Sequence, residues 1–251
     1  MSVRLIVHTD SIKKPDVNTF AAAAASLETE YKRLYVKDGI RRVFVKSGQD
    51  IVRAINNELP NVIASLDVVS HGNQSGVHIA RLLAAPVKSG FVQRRLHYRV
   101  RLSSDSPQTE ADAEYCEESM HGLYTDWPAL EAVGVYYNQV DGGRGDVAYL
   151  SDIGYNRFQE GAHVEFHGCL TAEMTPVLHY LKDNFAKQWS DNLPKGSTVV
   201  GHITKSNPNS APSSRISDYR HGAVRVYRDG SILMESAERS QQKFPNSSTP
   251  K

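Results

Sequence analysis

"NVIASLDVVSHG", residues 61–72, decides the fold. A run rich in Val, Ile and Leu, short and closed by Ser70, His71 and Gly72, reads as a buried β-strand. Upstream, "VRLIVH" (3–8) and "RRVFVKSG" (41–48) read as two more strands. Between them, residues 17–35 set Phe20, Ala24, Leu27, Tyr31 and Leu34 at helical spacing around an alanine run that favours helix. "QDIVRAINNEL" (49–59) reads as a short helix burying Ile51, Ile55 and Leu59. Strand, helix, strand, helix, strand in close succession is the pattern of right-handed crossovers and a parallel sheet.

The pattern resumes at "GAHVEFHGC" (161–169), a fourth strand. A long helix is predicted from Thr171 to Trp189, with Met174, Val177, Leu178, Leu181 and Phe185 recurring at helical intervals and Pro176 early enough to be tolerated. "STVVGHI" (197–203) reads as the fifth strand, and "GAVRVYRDGSILM" (222–234) as a hairpin turning at Asp229-Gly230. The polar tail 240–251 reads as disordered, leaving 1–239 as one domain.

Between strands three and four lies far more chain than a crossover needs. It holds a predicted helix at "GVHIARLLA" (76–84), a basic strand-like segment "FVQRRLHYRVRL" (91–102), an acidic stretch at 103–119 and an aromatic segment at 123–150. We read residues 85–160 as an insertion at one end of the sheet. The expected fold is therefore α/β: a mostly parallel sheet flanked by helices on both faces, carrying that insertion.

Composition narrows the function classes. With 251 residues, 40% apolar and 23% charged, the chain has the profile of a globular protein. A formal charge of +1 supplies no global field for nucleic acid, and no run of 18 apolar residues suggests a membrane span. The N-terminal apolar block is too short for a signal peptide, and two cysteines, Cys116 and Cys169, are too few for a disulfide framework. The expected location is cytoplasmic, or outside the cell by a route without a cleaved signal. The Arg94–Arg101 alternation reads as a half-exposed strand, and the Arg-Gly-Asp at 144–146 as a turn.

In an open parallel sheet, ligands collect at the carboxyl ends of the strands. Two strands here end alike: one in Ser70-His71-Gly72, the other in His167-Gly168-Cys169. Side by side, they bring an imidazole and a thiol to one rim. A thiol attacks carbonyls as thiolate, so it needs a base or a cationic neighbour. His71 suits that role and then returns the proton to the leaving amine. The dipole of a helix starting near Thr171 would favour the thiolate further. The backbone N–H groups of Gly72 and Cys169 are the natural oxyanion donors, and glycine at 72 lets substrate approach that backbone.

These two motifs resemble those of the caspase-like cysteine peptidases, a group that includes caspases, legumains, clostripain, gingipains, separases and the self-cleaving domains of large bacterial toxins. "HGCLTAE" (167–173) is similar to the Gly-Cys-x-x-Ala of bacterial members. The resemblance covers strands one to five and implies a three-layer α/β/α fold. It also implies a His71–Cys169 dyad without an obligatory third member, a Gly72 amide in the oxyanion hole, and a protein or peptide substrate. The loop Thr204–Arg215 would shape the pocket for the residue before the scissile bond. A bacterial secreted effector is the biological setting it suggests. The interval of 169 − 71 = 98 positions is longer than is typical of that family.

Ser70, His167, His202 and Thr204 are expected beside the same rim as weaker substrate-binding residues. His167 stays open between alternative base, substrate-orienting group and packed core residue. Asp67 and Glu165 stay open between orienting a histidine and pairing with a substrate arginine. Cys116, among acidic neighbours that disfavour thiolate, is a poor rival nucleophile. Two further classes stand beside the peptidase. One is a catalytically silent module binding a protein partner through the 85–160 insertion, with Trp127 and the tyrosines as anchors. The other is a metal-dependent hydrolase using His71, His167, Cys169 and His202. No Cys-x-x-Cys or His-Glu-x-x-His pair occurs, so no metal or other cofactor is expected.

Overall fold

The computed structural model describes residues 1–9, 19–73, 76–78, 123–124, 148–174, 184–204 and 222–237. The predicted tail, the basic segment 91–102, the acidic stretch and most of the insertion lie outside the described residues.

Among the described residues, seven strands form one mostly parallel sheet in the order β2-β1-β3-β8-β9-β10-β11. β1 (Val3–His8), β2 (Gly39–Phe44), β3 (Ile63–Val69), β8 (Phe158–Phe166) and β9 (Thr198–His202) run parallel. β10 (Val224–Arg228) returns antiparallel to β9, and β11 (Ser231–Ser236) closes the hairpin. Its turn is the expected Asp229-Gly230, both at positive φ (49° and 73°), the conformation that matches strand twist. A second, four-stranded sheet joins β4 (His71–Asn73), β5 (Gly76–His78), β6 (Leu123–Tyr124) and β7 (Ala148–Tyr149). Residues 76–78, expected to open a helix, are thus a strand, held by ladder partners on both sides.

Strand alternation separates two cores. Leu5, Val7, Leu66, Val68, Val164 and Phe166 pack with Ile51, Val52 and Ile55 of α2 (Gly48–Asn56) and with Phe185, Ala186 and Trp189 of α3 (Phe185–Asn192). On the opposite side of β1, Ile6 packs with Val69 and with Phe20, Ala23, Ala24 and Leu27 of α1 (Thr19–Leu34). No described helix is long and apolar enough to cross a membrane.

Several boundaries differ from the expectation for identifiable reasons. The strand predicted over 41–48 ends at Phe44, because Lys46 and Ser47 serve α2. The Ser47 hydroxyl accepts from Asp50 N at 3.1 Å, and Asp50 Oδ2 accepts from Lys46 N at 2.9 Å. That helix stops at Asn56, so Leu59, expected in the core, is 72% exposed. The helix predicted from Thr171 to Trp189 is not continuous: residues 169–172 form a turn, and Asn184 is extended (φ −165°, ψ 174°). Asn184 caps α3 instead, accepting from Lys187 N at 3.0 Å.

The pairing of β3 with β8 positions everything at the carboxyl end. Ile63 lies opposite Phe158, an offset of 158 − 63 = 95, but Ser65 lies opposite His163, an offset of 163 − 65 = 98. The three extra residues are absorbed around Gly161, whose φ of 72° suits glycine.

Trp189 is fully buried, with ring centroids 5.3 Å from Phe166, 5.6 Å from Tyr155 and 6.0 Å from Phe158. Trp189→Ala is expected to cost about 3–5 kcal/mol of stability, read from the midpoint of urea denaturation at unchanged slope.

Candidate functional site

The offset of 98 set by the bulge runs on through Asp67–Glu165 and Val68–Phe166, and His167 N donates to Val68 O at 2.9 Å. Carried three residues further, the same offset brings His71 level with Cys169. The two segments touch through their backbones. A Cβ placed on Gly168 would stand 3.1 Å from Gly72 Cα, Gly72 N and His71 C. One on Gly72 would stand 3.1 Å from the Cys169 carbonyl oxygen and 2.8 Å from Thr171 Cγ2. Both glycines are therefore required by close approach, the one to the other.

His71 is not the tip of the third strand, as expected, but the first residue of β4 in the second sheet. The chain crosses from one sheet to the other at Ser70, which is buried and whose hydroxyl donates to His71 O at 2.9 Å. The half-buried imidazole meets Phe20 of α1 edge-to-face, ring centroids 4.8 Å apart and planes at 81°.

Cys169 is a half-buried cysteine at the start of a tight turn. Leu170 follows at φ 60° and donates its N–H to Thr204 O at 3.3 Å. Thr171, fully buried, accepts at Oγ1 from His202 N at 3.2 Å and donates to Gly168 O at 3.4 Å. Ala172 N donates to His202 O at 2.9 Å. The turn after Cys169 is thus clipped to the end of β9 rather than wound into a helix. Among the described residues no helix starts at Thr171 to supply the dipole expected there.

The remaining rim residues divide. Thr204 is exposed, and its hydroxyl accepts from Ala223 N at 3.1 Å, tying β9 to β10. Residues 205–215 of the loop expected to shape the pocket lie outside the described residues. His202 is fully buried. His167 is buried too, and its Nε2 stands 3.0 Å from Asp67 Oδ1. Of the roles left open for Asp67, orienting a histidine is the one the geometry places.

A buried polar group surrounds that contact, and sequence reasoning had not assembled it. The Tyr31 hydroxyl donates to Asp67 Oδ2 at 2.8 Å. Burial, then the negative charges of Asp67 and Glu165, holds the Tyr31 phenol well above its ordinary pKa, so it remains a donor. Glu165 faces His163 Nε2 at 3.5 Å, and His163 Nδ1 lies 2.9 Å from Thr198 Oγ1. The signal available was polar residues at 163, 165 and 167, every second position of a buried strand. The expected grouping of His71, His167, Cys169 and His202 is not what the described residues bring to metal-ligand distance; Asp67, Glu165 and His167 are.

Compared with protein-family models, with curated proteins and with solved structures, the chain has no match. Function is therefore read from geometry alone.

Gly168→Ala is expected to push the His71-Gly72 backbone away, since the atoms in its path are main chain rather than flexible side chain. The cost is about 1–3 kcal/mol, measured by denaturant melts, with a fall in the alkylation rate of Cys169 in the folded protein.

Proposed function

We propose that the chain is a cysteine peptidase or amidase of the caspase-like kind, on a three-layer α/β/α fold. The observation that carries this reading is the backbone contact between His71-Gly72 and Gly168-Cys169 at the carboxyl ends of adjacent parallel strands. The half-exposure of Cys169 and of His71 also supports it, because a nucleophile and its base must meet substrate.

The steps follow from the groups present. His71 takes the Cys169 proton, and the thiolate adds to the carbonyl carbon of an amide. The oxyanion is stabilised by backbone N–H groups, a role we assign to those of Gly72 and Cys169. The tetrahedral adduct collapses to a thioester as protonated His71 returns its proton to the departing amine. Water then attacks the thioester with His71 as base, releasing the carboxylic acid and the thiol. No helix begins at Thr171 among the described residues, so we assign ionisation of the thiol to the imidazole. The Phe20 ring against one side of His71 limits the rotamers open to it, which supports a base held ready for proton transfer. A protein or peptide substrate fits this chemistry, and a secreted effector remains the setting we favour.

Cys169→Ala is expected to abolish turnover of a fluorogenic peptide library, and His71→Ala to lower it by at least about 100-fold. Iodoacetamide should modify Cys169 before Cys116 in the folded chain, as mapped by peptide mass spectrometry. Labelling that spares Cys169 until denaturation removes the peptidase reading.

A further inference from the structure

We propose that Thr171 is the positioning residue of the oxyanion hole, the side chain that aims the Cys169 N–H. This rests on the peptidase reading and deepens it, since that reading assigns the donors without saying what orients them.

The need for such a residue comes from Gly168. With no Cβ, it places only weak steric limits on the peptide unit that follows it. That unit is planar and carries Gly168 C=O and Cys169 N–H together, so whatever fixes the carbonyl also fixes the N–H. A side chain at 168 cannot supply the restraint. Its Cβ would stand 3.1 Å from Gly72 Cα, Gly72 N and His71 C. The restraint has to come from another residue.

Thr171 is placed to give it. Its Oγ1 accepts from His202 N at 3.2 Å, at the end of β9, and donates to Gly168 O at 3.4 Å. A hydroxyl has one proton, and here that proton is directed at the carbonyl while the sheet's main chain fills a lone pair. Thr171 is 0% exposed, so bulk water does not compete for either bond. Its Cγ2 lies 2.8 Å from the place a Cβ on Gly72 would take. One side chain thus meets both the residue bearing one assigned donor and the peptide unit bearing the other. Glycine at 201 leaves room for it, since a Cβ there would stand 3.0 Å from Thr171 Oγ1.

The path of the turn is held by other groups. Leu170 N donates to Thr204 O at 3.3 Å, Ala172 N to His202 O at 2.9 Å, and Ala186 N to Thr171 O at 3.0 Å. Arg225 Nη1 donates to Ala172 O at 2.8 Å. Leu170 sits at φ 60°, which a branched side chain keeps only where its surroundings impose it. None of these anchors uses the Thr171 hydroxyl. Its removal therefore leaves Cys169 in place and frees the Gly168–Cys169 peptide unit to rotate.

The test separates aim from placement. Iodoacetamide reacts at a saturated carbon: sulfur bonds to it, iodide leaves, and no oxyanion forms. A peptide aldehyde takes the sulfur at its carbonyl carbon, and the carbonyl electron pair moves to oxygen as the thiol proton passes to His71. The full chain is assayed with the fluorogenic peptide that the wild type cleaves fastest and with the aldehyde of the same sequence. In Thr171→Val, kcat is expected to fall about 10–100-fold with KM within about threefold, short of the loss from deleting an oxyanion donor outright. Aldehyde affinity should fall by a similar factor, while the iodoacetamide rate at Cys169 stays near wild type. Thr171→Ser, which keeps the hydroxyl, should restore kcat to within about threefold. Should Thr171→Val not fold, Thr171→Ala set against Thr171→Ser carries the same comparison.

A folded Thr171→Val with wild-type kcat and aldehyde affinity overturns the assignment and leaves the peptidase reading standing. So does an iodoacetamide rate that falls in step with kcat, which would make Thr171 a support of the turn alone, or a Thr171→Ser as impaired as Thr171→Val. A wild-type chain that cleaves no peptide and binds no aldehyde removes the peptidase reading, and this assignment with it.

Discussion

One register holds this molecule's carboxyl end together: the 98-residue offset between β3 and β8. It is not inherited from the start of the two strands, where the offset is 95, but is set by the irregularity around Gly161. A slip of one residue would reverse the face of every side chain on β8 relative to β3. Asp67 would lose Glu165, and His71 would lose its level with Cys169. The backbone contact of Gly72 with Gly168 acts as a second lock, since it closes only where neither residue carries a Cβ.

The two faces of the sheet divide the work. One face is apolar along β1, β3 and β8, and it is closed by α2 and α3 around Trp189. Burial there supplies the stability, at about 25 cal/mol per Å² of apolar surface removed from water. The other face carries Arg4, Ser65, Asp67, His163, Glu165, His167 and His202, all buried. A face so polar is a poor source of stability, because each ion must recover its lost hydration from its neighbours. The first face tolerates the second, and the cost is concentrated where β3 and β8 meet, beside the rim that bears His71 and Cys169.

How far the sequence carries this account depends on how local each signal is. The strands that place the two motifs were legible, because runs such as "ASLDVV" and "AHVEF" are apolar and end in glycine-bearing motifs. The pairing of those motifs was legible from crossover topology. What failed was non-local or was decided by a competing cap. The apolar spacing from Met174 to Trp189 continues through Asn184, and periodicity does not register that this side chain prefers to cap the turn beginning at Phe185. Residues 76–78 carry too few positions to distinguish strand from helix; only partners at 71–73 and 123–124 decide it. Asp67 and Glu165 were visible as acids in apolar strands, but their meeting required the register, which no single strand encodes.

The loss of a helix at Thr171 changes what the rim asks of its neighbours. A helix dipole would favour the Cys169 thiolate whatever His71 did. With the turn clipped to β9 through Thr171 and Ala172 instead, the proton transfer we propose rests on where the imidazole sits. That imidazole leaves the sheet just after Ser70, at the changeover between two sheets, and it rests on Phe20 near the start of α1. Its placement is therefore a tertiary property, drawn from α1, β3 and β4 together rather than from any one of them. His167 does not replace it, because its Nε2 is turned inward to Asp67 and its ring is sealed from solvent. Two histidines two positions apart in the alignment of the strands thus differ in setting: one is half-buried against Phe20, the other sealed in the sheet on Asp67.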